Sequence, residues 1–126
     1  MAQLTISPST TIANGQTVNL TALTITHSTT TPVYRASLRT TRMTNVETDI
    51  DSGAGAATLE IGTAGFGTVI AIFTLSDPAG TVTGDTLTGS GMPKTTTGIN
   101  GGGVAAEGRI KESGGAIIVS GLTVGV

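Results

Sequence analysis

The sequence predicts an all-β fold: a β-sandwich or jelly-roll-like domain of about seven to eight strands with one packed α-helix at about residues 34–49. Three observations predict it. Threonine and valine, stiff at χ1 and suited to a pleated surface, recur throughout, and 19 glycines supply turns and bulges. Short stretches alternate apolar and polar residues between Gly, Pro, Asn and Asp punctuation. A single segment repeats its apolar residues at a spacing near 3.6. The 126 residues suit one domain, 1–126, and are too few for two ordinary ones.

Residues 4–7 read as a short strand, followed by a turn at Pro8-Ser9-Thr10 and a tight turn at Asn14-Gly15. Residues 17–26 are the clearest strand. Val18 and Leu20 face inward, but the inward set resumes as Leu23 and Ile25, so the period-two phase slips near Ala22 and predicts a bulge. Past Pro32, the helical segment carries Val33, Tyr34, Leu38, Met43, Val46 and Ile50 on one face and Arg39, Arg42, Glu47 and Asp49 on the other. Arginines at its start and acids at its end oppose the helix dipole, so packing has to hold it. Gly53-Ala54-Gly55 is its stop.

Residues 57–61 form a short strand, and 67–75 the most apolar one, Val69 to Phe73 in succession, whose two faces need cover from the helix and from the sheet. Ser76-Asp77-Pro78-Ala79-Gly80 is a turn, after which residues 81–88 alternate Val82 with threonines. The glycine-rich, aperiodic stretch 89–103 reads as a surface loop or an arm ordered by a neighbour. Residues 104–111 and 116–122 make the strongest hairpin, joined by Glu112-Ser113-Gly114-Gly115. In its first arm Val104, Ala106 and Ile110 point inward, and Glu107, Arg109 and Lys111 outward. The chain ends on Leu122, Val124 and Val126, an apolar strand that requires a partner.

Charged residues make up only 11% of the chain, so hydroxyls and backbone must carry its solubility. With Tyr34, Phe66 and Phe73 the whole aromatic inventory, the core is a thin one of Ile, Leu and Val, which gains from further burial between copies and argues for a homo-oligomer. Six Lys and Arg and a net charge of −2 oppose nucleic-acid binding, which depends on clustered cations. No apolar run approaches the roughly 20 residues of a membrane span, so no membrane partner is expected. The first residues lack a signal-peptide pattern, so synthesis in the cytoplasm is expected.

Catalysis by a nucleophile or an acid–base pair needs histidine or cysteine beside a second polarised group. The chain has no cysteine, and its one histidine, His27, follows a strand in a threonine-rich connection, where an ordinary surface role is the expectation. Asp49-Ile50-Asp51-Ser52-Gly53 matches a calcium loop only in part, lacking its third acid and distal glutamate, and reads as a helix end. Gly101-Gly102-Gly103 lacks the lysine of a phosphate loop and is assigned flexibility alone. Asn19-Leu20-Thr21 is a formal glycosylation sequon inside a strand, read as chance. No enzyme and no cofactor or metal is expected.

Four segments carry a resemblance: Tyr34-Arg35-Ala36-Ser37-Leu38-Arg39-Thr40-Thr41-Arg42-Met43, Thr58-Leu59-Glu60-Ile61-Gly62-Thr63, Leu75-Ser76-Asp77-Pro78-Ala79-Gly80 and Ala106-Glu107-Gly108-Arg109-Ile110-Lys111-Glu112-Ser113-Gly114-Gly115. The chain resembles a family of small proteins of tailed bacteriophages and prophages, described where characterised as virion structural proteins. In that family a strand similar to residues 10–21 closes the C-terminus, after a segment similar to 119–125. Here it comes first, so the chain looks circularly permuted, and residues 119–126 are expected beside residues 4–26, within one subunit or by exchange between neighbours.

The resemblance implies a capsid decoration (cement) protein in the virion, with the major capsid protein and further copies of itself as partners. The alternative is a tail-associated structural module or a carbohydrate-binding β-sandwich, the latter disfavoured by the scarcity of aromatics for stacking on sugars. The contact residues expected are Ala2, Gln3, Leu4, Thr5 and Ile6 in an N-terminal arm, Met92, Pro93, Lys94 and Ile99 in the 89–103 loop, and Val124 and Val126 at the end of the chain.

Overall fold

A computed structural model describes residues 2–7, 11–26 and 34–125 of the protein. Strand makes up 50% of the chain, which supports the mostly β expectation, and one α-helix accompanies it. The strands are β1 (Ala2–Ser7), β2 (Thr11–Ala13), β3 (Thr17–Thr26), β4 (Thr58–Gly62), β5 (Val69–Thr74), β6 (Gly80–Thr83), β7 (Thr86–Gly89), β8 (Lys94–Thr97), β9 (Gly102–Val104), β10 (Glu107–Lys111) and β11 (Ile117–Gly125). The helix, α1, spans Ala36–Ile50. The turn expected at Pro8-Ser9-Thr10, together with His27, Val33 and Val126, lies outside the described residues.

The long strand β3 organises the sheet because it is long enough to serve two partners on one side. Its first half pairs with β8 from Thr17 to Leu20, and its last residues pair with β7 from Thr24 to Thr26. On its other side it runs antiparallel to β1, and there the predicted phase slip is seen: Thr5 faces Ala22 but Ile6 faces Leu20, leaving Thr21 as the extra residue. The Thr21 hydroxyl donates to the Thr5 carbonyl at 3.1 Å, which pins the bulge. The bulge returns Leu23 and Ile25 to the side of Val18 and Leu20, and all four are buried. The terminal strand has the partner it requires: β11 pairs in parallel with β1, Leu4 opposite Val124, within the same chain.

Eight strands lie in one hydrogen-bonded path, β5-β4-β10-β11-β1-β3-β7-β6, with β8 beside β3 and β2 paired only with β9. This differs from the expected two-sheet sandwich: the sheet is curled into a half-barrel. The curl brings the chain after β8 back to β5, where the Ile99 N–H donates to the Ile70 carbonyl at 3.0 Å and the Asn100 amide to the Val69 carbonyl at 2.7 Å. The core inside is built from Leu4, Ile6, Leu20, Leu59, Ile61, Phe73, Ile110 and Leu122, all buried, as the Ile/Leu/Val composition anticipates.

The loop or arm expected at 89–103 is instead β8, β9 and their connection, bonded to β3, β2 and β5. Sequence reading mistook shape for freedom there. A side chain at Gly102, whose φ is +76°, would place its Cβ 1.9 Å from the Ile12 carbonyl oxygen, so this glycine is needed for close approach and not for flexibility. Residues 81–88 are not one strand but a hairpin turned at Gly84-Asp85, with Thr83 opposite Thr86. Val104 is 60% exposed and does not face inward, because it belongs to β9 and the hairpin arm begins only at Glu107.

The helix buries Met43 and Ile50 and half-buries Val46, while Leu38 stays exposed, a narrower apolar face than predicted. Its solvent side is threonine, and the Thr40, Thr41 and Thr44 hydroxyls each donate to the carbonyl four residues back. It packs on β6, β7 and β11, not over β5. The strand order puts β5 at the edge of the sheet, and without the helix over it Ile72 is exposed. Two ties hold α1 to the sheet: Arg39 Nε bonds Asp85 Oδ2 in the β6–β7 turn at 3.1 Å, and the carboxylate of Asp51, just past the helix end, accepts the Ala79 N–H in the β5–β6 turn at 2.8 Å.

Candidate functional site

Strands β4 and β10 alternate strictly, and their register decides what the outer face of the sheet displays. Leu59 and Ile61 of β4 and Gly108 and Ile110 of β10 point into the core. Glu60 therefore points out, directly opposite Arg109 in the antiparallel pair. Arg109 Nε lies 2.6 Å from Glu60 Oε2, and Lys111 Nζ lies 3.1 Å from Glu60 Oε1, so one carboxylate is clamped by two cations. Glu60 is the one buried polar residue among the described residues. Burial raises its carboxyl, but hydrogen bonds from Arg109 and Lys111 and their charges outweigh that and hold it below the usual carboxylate range.

An aromatic lid adjoins the clamp. The Phe66 ring lies over Gly62, where a Cβ would come within 2.3 Å of it, and the Arg109 guanidinium stacks 4.2 Å from the ring centroid. The Glu107 carboxylate accepts the Gly65 N–H at 3.1 Å and holds the turn that carries Phe66. Outside the clamp stand two isoleucines: Ile72 of β5 is in register with Glu60 and 39% exposed, and Ile117 of β11 is in register with Lys111 and 52% exposed. The face thus has exposed apolar flanks around a centre in which one carboxylate engages two cations.

The contact residues expected from the sequence do not gather on one surface. Ala2 and Gln3 belong to β1, an interior strand of the sheet, and so cannot form an arm. Leu4 and Ile6 are core residues, which removes their side chains from contact with a partner, and Thr5 between them is half-buried. Met92 and Val124 are half-buried against the core. Lys94 and Ile99, also half-buried, are tied to Leu20 and Ile70 through the backbone, and Pro93 is exposed.

Sequence reading missed Phe66, Ile72 and Ile117 as a group. The outward alternation of Glu107, Arg109 and Lys111 was visible, but nothing local shows that β4 and β5 lie beside β10. Among the described residues no group of three or more His, Asp or Glu side chains could hold a metal ion. Asp51, in the segment partly resembling a calcium loop, caps the helix and binds the Ala79 N–H. No protein-family description, curated protein or solved structure matches this chain.

Proposed function

We propose that the protein is a bacteriophage virion structural protein, a capsid decoration protein that binds the head lattice, stabilises it, and meets the major capsid protein and other copies of itself. The observation that carries this reading is the outer face of β5, β4, β10 and β11. It displays Ile72 and Ile117 to solvent on either side of a clamp in which one carboxylate engages both cations, so the apolar flanks gain on burial. The family resemblance of the helix and hairpin segments supplies the kind of partner. On this reading the curled sheet is a variant of the jelly-roll class, with β8 and β9 folded against β5 standing in for a second layer.

The carbohydrate-binding alternative loses ground on geometry. Sugar stacking needs a free aromatic face, yet the Tyr34 ring carries the Arg42 guanidinium at 4.1 Å, Phe66 carries that of Arg109, and Phe73 is buried.

Electron microscopy of purified particles tests the proposal. Density for the chain on the head, contacting the lattice through the Ile72 and Ile117 face, is the expected result. Ile117→Lys should empty those positions while changing the stability of the free protein by no more than about 0.5 kcal/mol. Density on the tail would replace the head reading with the tail one, and a chain absent from every particle would end both.

A further inference from the structure

The C-terminal end of α1 presents an electrostatic problem that its own residues have to solve. Glu47, Asp49 and Asp51 crowd the last turn, where the helix dipole is negative, and no basic residue stands there. The three ion pairs among the described residues are Arg39 with Asp85 and Glu60 with Arg109 and Lys111, so none of the described cations pairs with these three acids. One oxygen of Asp51 accepts the Ala79 N–H, joining the helix to the turn between β5 and β6. The other, Oδ2, is buried with no hydrogen-bond donor among the described residues. A buried carboxylate oxygen left without a donor is costly and calls for an explanation. The Glu47 side chain stands one helical turn back on the same side of the helix, and its backbone carbonyl accepts the Asp51 N–H at 3.0 Å.

We propose that Glu47 and Asp51 share one proton, with the Glu47 O–H donating to Asp51 Oδ2, and that this proton clasps the end of α1 to the β5–β6 turn in acid and releases it as pH rises. The arrangement supplies the missing donor and removes one of two adjacent negative charges from the negative end of the helix. Burial raises the Glu47 carboxyl above its ordinary value, and the hydrogen bond and charge of Asp51 raise it further. Because the folded pKa exceeds the unfolded one, the stabilisation is complete below the unfolded value and is lost as pH rises through the folded one.

The other charged groups near this end are acids and one cation, Lys94, whose Nζ lies beside Gly91 where that residue adjoins Ser76 of the β5–β6 turn. Asp77 is exposed on the β5–β6 turn, and Asp49 is exposed on the helix. Glu112 of the β10–β11 turn lies near Gly53, its own oxygens accepting the Gly114 and Ala116 N–H groups. From the β6–β7 turn, Asp85 is engaged by Arg39. The acids offer the pair no donor, and among the described residues Lys94 makes no ion pair with Glu47 or Asp51.

The test is thermal unfolding of the full chain and of Glu47→Gln between pH 4 and 8 at fixed salt. The glutamine amide donates to Asp51 Oδ2 at every pH. The variant should therefore melt about 3 °C above the natural protein at pH 8, with the gap closing toward pH 4. Asp51→Asn serves as a second variant: its Oδ1 still accepts the Ala79 N–H and its amide donates to Glu47, so its melting curve should also lose the alkaline decline. Exchange of the Ala79 amide should slow in Glu47→Gln at pH 8. Melting temperatures of natural protein and Glu47→Gln that run parallel across the range, with unchanged Ala79 exchange, would overturn the shared proton.

Discussion

Two glutamates, one buried on the β4–β10 face and one half-buried at the end of α1, end with carboxyls shifted in opposite directions. Burial raises both carboxyls. Glu60 has Arg109 and Lys111 against it and ends below the usual range; Glu47 has Asp51 against it and ends above. Desolvation sets a common penalty, and the partner decides the sign. The β4–β10 end therefore holds its stabilisation above the unfolded carboxylate pKa and loses it as pH falls through the lowered value. The α1 end holds its stabilisation in acid and loses it as pH rises.

Three substitutions break or sharpen that contrast. The largest effect is expected from Glu60→Ala, which leaves Arg109 and Lys111 facing each other without their anion. It should cost about 2 kcal/mol at neutral pH, less than a fully buried pair because both cations retain some access to water, and chemical denaturation should show the loss shrinking as pH falls. Lys111→Met removes one of the two cations and should cost about 1 kcal/mol. It should also bring the Glu60 carboxyl upward, which carbon-13 NMR titration of its side chain would register. The smallest effect belongs to Arg39→Ala, which unties the other end of α1 from Asp85. A partly exposed pair of this kind contributes about 0.5 kcal/mol, and the change should leave the pH response of both ends in place, as melting curves at pH 4 and 8 would show. A changed pH response in Arg39→Ala would mean that the α1 end is governed by its whole charge pattern and not by the Glu47–Asp51 pair.

Much of the strand pattern was legible because it is local. Val18, Leu20, Leu23 and Ile25 carry the period-two rule and its slip in their own spacing, and the bulge at Thr21 follows. The hairpin around residues 112–115 was readable from its turn residues, and the side chain of Glu112 closes that turn by accepting two N–H groups. The segment 89–103 was not readable. Its glycines allow close packing on Ile12 as readily as they allow freedom, and composition does not separate the two. The candidate face was legible only in part: Arg109 and Lys111 were assigned outward, but Ile72 was assigned to a covered strand and Phe66 to no role at all.

From the order of residues alone come the β-rich class, the helix and the phase of each long strand, because those depend on near neighbours along the chain. The scarcity of groups able to break bonds is likewise a matter of composition. Folding in three dimensions settled the rest: the parallel match of β1 with β11, the curl that returns the 98–103 segment to β5, and the meeting of Glu60 with Arg109. Alternation says which residues share a side of a strand, but what covers that side is chosen by segments tens of residues away, through packing that no short stretch encodes.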